Sequence, residues 1–156
     1  MTRNKKIAIG ITLIAIAIAG YWLAAPLFID KKVNESMDDI KTSAPAGEEA
    51  MVISMGNFMG ADDFHKGEGT VKLIKVVDKY FVRFEDDFKV TNGPDLFVHF
   101  GENGEYAKEA RIGLLKGNIG GQNYEVPAGI DPLEYSEIWI WCRAFSTPFA
   151  KAVLSS

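Results

Sequence analysis

Cys142 is the only cysteine among 156 residues, and it lies in the apolar run "EIWIWCRAF" beside Trp139 and Trp141. A single thiol can carry redox chemistry, bridge to a second chain, ligate a metal or simply pack. Side chains alternate faces along a strand, so Ile138, Ile140 and Cys142 share one face while Trp139, Trp141 and Arg143 share the other. Arg143 is adjacent in sequence yet directed away from the sulfur. Among isoleucines, Cys142 behaves as a small hydrophobe. Two features oppose an inert role. The strand has to end between Phe145 and Pro148, which brings Cys142 towards the rim of the sheet. An odd cysteine in a protein working outside the cytoplasm also signals a reactive thiol or an intermolecular bridge. Both readings stay open on the residues alone.

Metal chemistry is the next candidate. One cysteine, two histidines (His65, His99) and methionines in a β-rich chain are the ligand types of a blue-copper centre. The spacing is against it, because "RAFSTPFAKAVLSS" places no histidine or methionine after Cys142. Met55 and Met59 lie at the other end of the domain in sequence, and His99 alternates with Val98 and Phe100 inside a strand. His65 stands with Asp62, Asp63 and Glu68 in "GADDFHKGEG", where a solvated turn is the simpler reading. Asp86, Asp87, Asn92 and Asp95 are a second acidic group, read first as turn chemistry. "GNIGGQN" lacks the lysine, the serine or threonine and the following helix of a phosphate loop. No metal site is assigned and the cofactor is unknown. No nucleophile and base pair can be picked out, so the chain reads as a redox or binding module rather than an enzyme.

The elements that must position these residues follow from hydropathy and turn signals. "IAIGITLIAIAIAGYWLAAPLFI" (7–29) holds no charge and matches the roughly 20 apolar residues needed to span a bilayer. Arg3, Lys5 and Lys6 precede it, which favours a cytoplasmic N-terminus and an extracytoplasmic remainder. A cleaved signal peptide is the competing reading, with Ala17-Ile18-Ala19 as the cleavage motif. The apolar run continues well past Ala19, which favours the single-pass anchor, and Pro26 fits near the end of such a helix.

Residues 30–51 form a polar linker with a net acidic charge, containing Pro45 and Gly47; Val33, Met37 and Ile40 can extend a frayed helix through it. Asn34-Glu35-Ser36 matches a glycosylation sequon, a tripeptide that also arises by chance. From residue 52 to 156 short apolar runs alternate with Gly, Asn, Asp and Pro. "GTVKLIKVVDKYFVRFEDDFKV" reads as a hairpin around Asp78-Lys79. "DLFVHFG", two runs within "ARIGLLKGNIGGQNYEVP", "EIWIWCRAF" and "FAKAVL" supply further strands. The spacing predicts an all-β antiparallel sandwich or small barrel behind one N-terminal transmembrane helix. The net charge of −4 includes no basic stripe, which argues against a nucleic-acid partner.

"GNFMGADDFHKGEGTVKLIKV", "YFVRFEDDFKVTNGPDLFVHF", "IGLLKGNIGGQNYEVP" and "YSEIWIWCRAFSTPFAKAVL" together resemble the DM-thirteen domain family over about residues 52–154. The most specific parts are Asn92-Gly93-Pro94-Asp95-Leu96, Gly121-Gln122-Asn123-Tyr124, and Ile140-Trp141-Cys142 with Phe145. The resemblance implies a β-rich, extracellular or membrane-anchored electron-transfer module. It marks Cys142 as the redox residue, with Trp141 and Phe145 in support and a separate redox protein as partner. His99 stands where the resemblance implies an aromatic or aliphatic residue. The alternative is a cell-surface recognition domain for a protein, glycan or small ligand, in which Cys142 only packs.

Overall fold

The computed structural model describes residues 3–42 and 49–156; Pro45 and Gly47 lie outside the described residues. Helix α1 (Arg3–Phe28) takes up all of the apolar run except Ile29 and continues through Pro26. Among the described residues, no other part of the chain covers its window Asn4–Tyr21. A helix that is apolar on every side and unburied in protein is long enough and apolar enough to cross a membrane.

Ten strands follow: β1 (Met51–Gly60), β2 (Gly67–Glu68), β3 (Thr70–Val76), β4 (Lys79–Phe84), β5 (Lys89–Val90), β6 (Leu96–Glu102), β7 (Glu105–Leu114), β8 (Gln122–Glu125), β9 (Glu137–Cys142) and β10 (Thr147–Val153). Eight of them form one antiparallel sheet in the order β7-β6-β9-β10-β1-β3-β4-β8, curled into a half-barrel, while β2 and β5 pair separately. The expected all-β antiparallel architecture is therefore observed. The β3–β4 hairpin turns one residue earlier than the pattern suggests, at Val77-Asp78, with Val77 at φ 54°.

Curling puts alternate side chains inside. Val71, Leu73, Val82, Phe84, Val98, Phe100, Ile138 and Ile140 meet in the core with Phe58, Phe88 and Tyr124. Phe58, Phe84 and Phe88 contact one another with ring centroids 4.5 to 5.1 Å apart, in tilted and edge-on arrangements that aromatic rings favour. β9 is central, between β6 and β10, with Cys142 opposite Leu96 on one side and Thr147 on the other. Pro148 cannot donate to the ladder, and the β10 register shifts between Pro148 and Ala150, a bulge at the point where the chain leaves its turn.

The edge strand β8 is covered. Residues 31–36 run alongside residues 119–123: the Val33 amide donates to the Ile119 carbonyl (2.9 Å) and the Glu35 amide to the Gly121 carbonyl (3.0 Å). Helix α2 (Met37–Thr42) then buries Ile40 against Ile74, Val76 and Phe81 on the outer face of β3 and β4. Burial of one isoleucine side chain stabilises such docking by about 1.5–3 kcal/mol. The polar stretch below α1 thus lies on the sheet as a strap over its described part. An unpaired strand edge invites association, and this strap closes it.

Candidate functional site

Cys142 is a free thiol with no solvent exposure. It ends β9, and the ladder continues one rung past that end on both sides of β6: the Arg143 amide donates to the Asp95 carbonyl (3.0 Å) and the Leu115 amide to the Leu96 carbonyl (2.9 Å). The sulfur belongs to the core cluster with Leu96, Val98, Phe100, Ile140 and Phe149. Cys142 is at the end of its strand yet enclosed, because the inner face of the curled sheet packs it among buried side chains. Among the described residues, five surface cavities of about 200 to 680 Å³ are all lined by residues other than Cys142.

The opposite face of β9 holds an aromatic row, as alternation requires. Trp141 is half-buried and stacks on Tyr106 of β7 at 3.8 Å between centroids, 19° between planes. The Tyr106 ring also meets His99 edge-on at 5.3 Å. Trp139 lies over Gly101, where a Cβ would collide with its indole ring, and it donates from Nε1 to Glu137 Oε2 (2.8 Å). Lys151 caps Trp139 at 5.1 Å, and Arg111 and Arg143 flank the Phe97 ring at 5.2 and 4.8 Å. Arg143 pairs with both carboxylate oxygens of Asp95 (2.8 and 3.3 Å), away from the thiol. Phe145 is 67% exposed in the β9–β10 turn and does not pack among the core residues around Cys142. Period-two patterning already puts Phe97 and His99 on one face. Tyr106 needs the β6–β7 register, which shifts on both sides of His99, and no local signal reveals it.

The histidines have separate environments. His99 is buried on the outer face and shares a hydrogen bond between Nδ1 and the Ala107 carbonyl at 3.1 Å. Burial pushes its protonation below the ordinary 6.5, and Arg111 adds to the effect, while the Ala107 bond and Glu109 act the other way. His65 pairs with Asp62 through Nδ1 and Oδ2 (2.7 Å) and lies 4.3 Å from the Phe149 ring. That bond, with the amides of His65 and Phe64, holds the Asp62 carboxyl down at about 2. Neither histidine shares the inner face with Cys142, and among the described residues no three of His, Cys, Asp and Glu gather as metal ligands.

The acidic group disperses likewise. Asp87 accepts from the Thr70 amide and hydroxyl, Asp86 lies 3.8 Å from Arg83, and Asn92 donates to Asp30.

The glycine-rich turn has a structural task. Gly120, at φ +91°, lets the chain reverse so that buried Gln122 donates to the Gly117 and Gly120 carbonyls and accepts from the Tyr124 hydroxyl (2.6 Å). Burial drives the Tyr124 hydroxyl well above its ordinary range, so it stays a donor. Buried Arg83 links this corner to the strap, donating to the Glu35 carbonyl (3.1 Å) and Asn123 Oδ1 (2.8 Å).

A family model described as Electron transfer DM13 matches residues 57–154. The match runs from within β1 to the residue after β10 and includes Cys142, the aromatic row and the Gln122 corner. No curated protein and no solved structure matches the chain.

Proposed function

The chain belongs to the electron-transfer DM13 family, and on that premise we propose that it is a membrane-tethered, extracytoplasmic electron-transfer module with Cys142 as its redox group. Residues 1–29 serve as the anchor, 30–51 as the connection to it, and 52–156 as the redox domain. Arg3, Lys5 and Lys6 ahead of the apolar helix support a cytoplasmic N-terminus.

The observation that carries the mechanism is the complete enclosure of Cys142 beside a half-buried Trp141 stacked on Tyr106. Disulfide exchange needs a second sulfur in contact with the first. An enclosed thiol can instead exchange one electron across the protein: the partner protein takes the electron, the thiol proton leaves to solvent and a thiyl radical remains, and the return of one electron and one proton restores the thiol. Trp141 is the covalent neighbour of Cys142, and with Tyr106 it forms a π-stacked route from the strand to the surface. The electron donor or acceptor is a separate protein that meets this aromatic face.

Voltammetry of the purified protein with soluble one-electron mediators tests the reading. Cys142→Ser should abolish the signal. Trp141→Phe should slow electron exchange several-fold while leaving the midpoint potential in place. A wild-type signal retained in Cys142→Ser removes the cysteine from the mechanism. No signal in either protein, with ligand-dependent thermal stabilisation in both, would favour surface recognition instead.

A further inference from the structure

We infer that the end of the half-barrel nearest α1 is a membrane-seated face, its exposed Phe64, Phe145 and Leu114 inserted into the interfacial layer of the bilayer that holds the helix. The inference rests on the reading of α1 as a membrane anchor. Its structural basis is the shortness of the connection. Helix α1 ends at Phe28, and the Lys31 amide already donates to Asn118 Oδ1 (2.7 Å), leaving only Ile29 and Asp30 between them. Three extended residue steps reach about 10 Å, so this end of the domain cannot stand clear of the headgroup layer.

All the strand ends that gather there are tied to this point. Asp30 accepts from Asn92 (2.9 Å) and Asn118 (2.8 Å), Thr91 exchanges bonds with Lys66, and Asp95 binds Arg143. The loop after β1, the β9–β10 turn and the end of β7 therefore share one rim with the helix exit.

The apolar side chains of that rim point outward. Phe64 is 84% exposed, Phe145 67% and Leu114 59%. Phe64 is held at its tip by Asp62, whose Oδ1 accepts from the Phe64 and His65 amides (2.8 Å each). Aromatic and aliphatic tips flanking a membrane span match the composition of an interface. Rim cations (Lys31, Lys32, Lys66, Arg143) do not outnumber the anions (Asp30, Asp62, Asp63, Glu68, Asp95), so the face takes a bilayer surface through apolar contact rather than anionic lipid through charge.

The test uses the full-length chain in phosphatidylcholine vesicles, with single substitutions Phe64→Cys, Phe145→Cys, Leu133→Cys or Ile14→Cys labelled with an environment-sensitive fluorophore. Wild type, with its buried Cys142, is the blank. Leu133, as exposed as Leu114, lies at the far end of the half-barrel, and Ile14 reports on the helix itself. The rim labels should be blue-shifted relative to Leu133 and quenched several-fold more by spin-labelled lipids, with the same result when anionic lipid is added. Rim labels that behave like Leu133 while Ile14 is quenched would overturn the membrane-seated face and leave the anchor standing. Quenching that appears only with anionic lipid would also overturn it. An Ile14 label in water would remove the anchor reading, and this inference with it.

Discussion

His99 shows how one residue's environment writes a pH dependence into the whole fold. Its ring is buried beside Tyr106 and held by the Ala107 carbonyl, and burial disfavours the charged form. The unfolded chain therefore takes up the proton first as pH falls below the ordinary 6.5. Stability contributed by neutral His99 is complete above that value and declines as pH falls towards the depressed folded value. Denaturant titrations at pH 7.5 and 5 should show a loss for wild type that His99→Phe largely lacks; an equal loss in both would assign the dependence elsewhere. At Cys142 the same scale settles accessibility. Alternation along "EIWIWC" identifies the apolar neighbours Ile138 and Ile140, but whether the rim is open depends on Leu96 and Phe149, brought against Cys142 from other strands.

Among the elements, the strap of residues 31–42 is the part least legible in the chain. Its composition is polar, and only Ile40 is fully buried, so no periodicity announces that it docks. The decisive contacts are long-range. Glu35 takes Lys116 Nζ (2.8 Å) and the Asn123 amide (2.7 Å), and its carbonyl receives Arg83. Glu35→Ala should weaken this edge by about 1 kcal/mol, since the pair is partly exposed. Hydrogen exchange would then speed up roughly fivefold at the Val33 and Glu35 amides, with the β3 and β4 cores unchanged. Uniform acceleration across the sheet would mean the strap is part of the global folding unit. The strands themselves were easier to read, because β3, β4, β6 and β9 carry alternating or continuously apolar runs bounded by Asp, Asn, Gly and Pro.

For the whole molecule, the short connection between α1 and the barrel couples orientation to function. With the helix exit fixed at the Asn92–Asn118 rim, the aromatic row of β6, β7 and β9 lies on the side wall of the half-barrel, where Trp141 and Tyr106 are half-buried and His99 and Trp139 buried. The proposed topology gives a direct expectation. In intact cells, an impermeant thiol reagent should label Leu133→Cys, and Lys5→Cys only after lysis. The reverse pattern would place the domain in the cytoplasm and end its reading as an extracytoplasmic module.

The amino-acid sequence by itself determined the apolar helix, the antiparallel strands, and which residues share a face of β9, because these follow from backbone periodicity and the local chemistry of turns. The Gln122 and Asn92–Leu96 stretches, which carry part of the family resemblance, prove to lie at the end of the half-barrel where Asn92 ties the sheet to the helix exit and Gln122 braces the glycine-rich turn. Tertiary structure alone decided that Cys142 is sealed, that Tyr106 stacks on Trp141, and that the acidic linker is a strap. Each depends on register and loop closure between residues far apart in the chain, which no local pattern encodes.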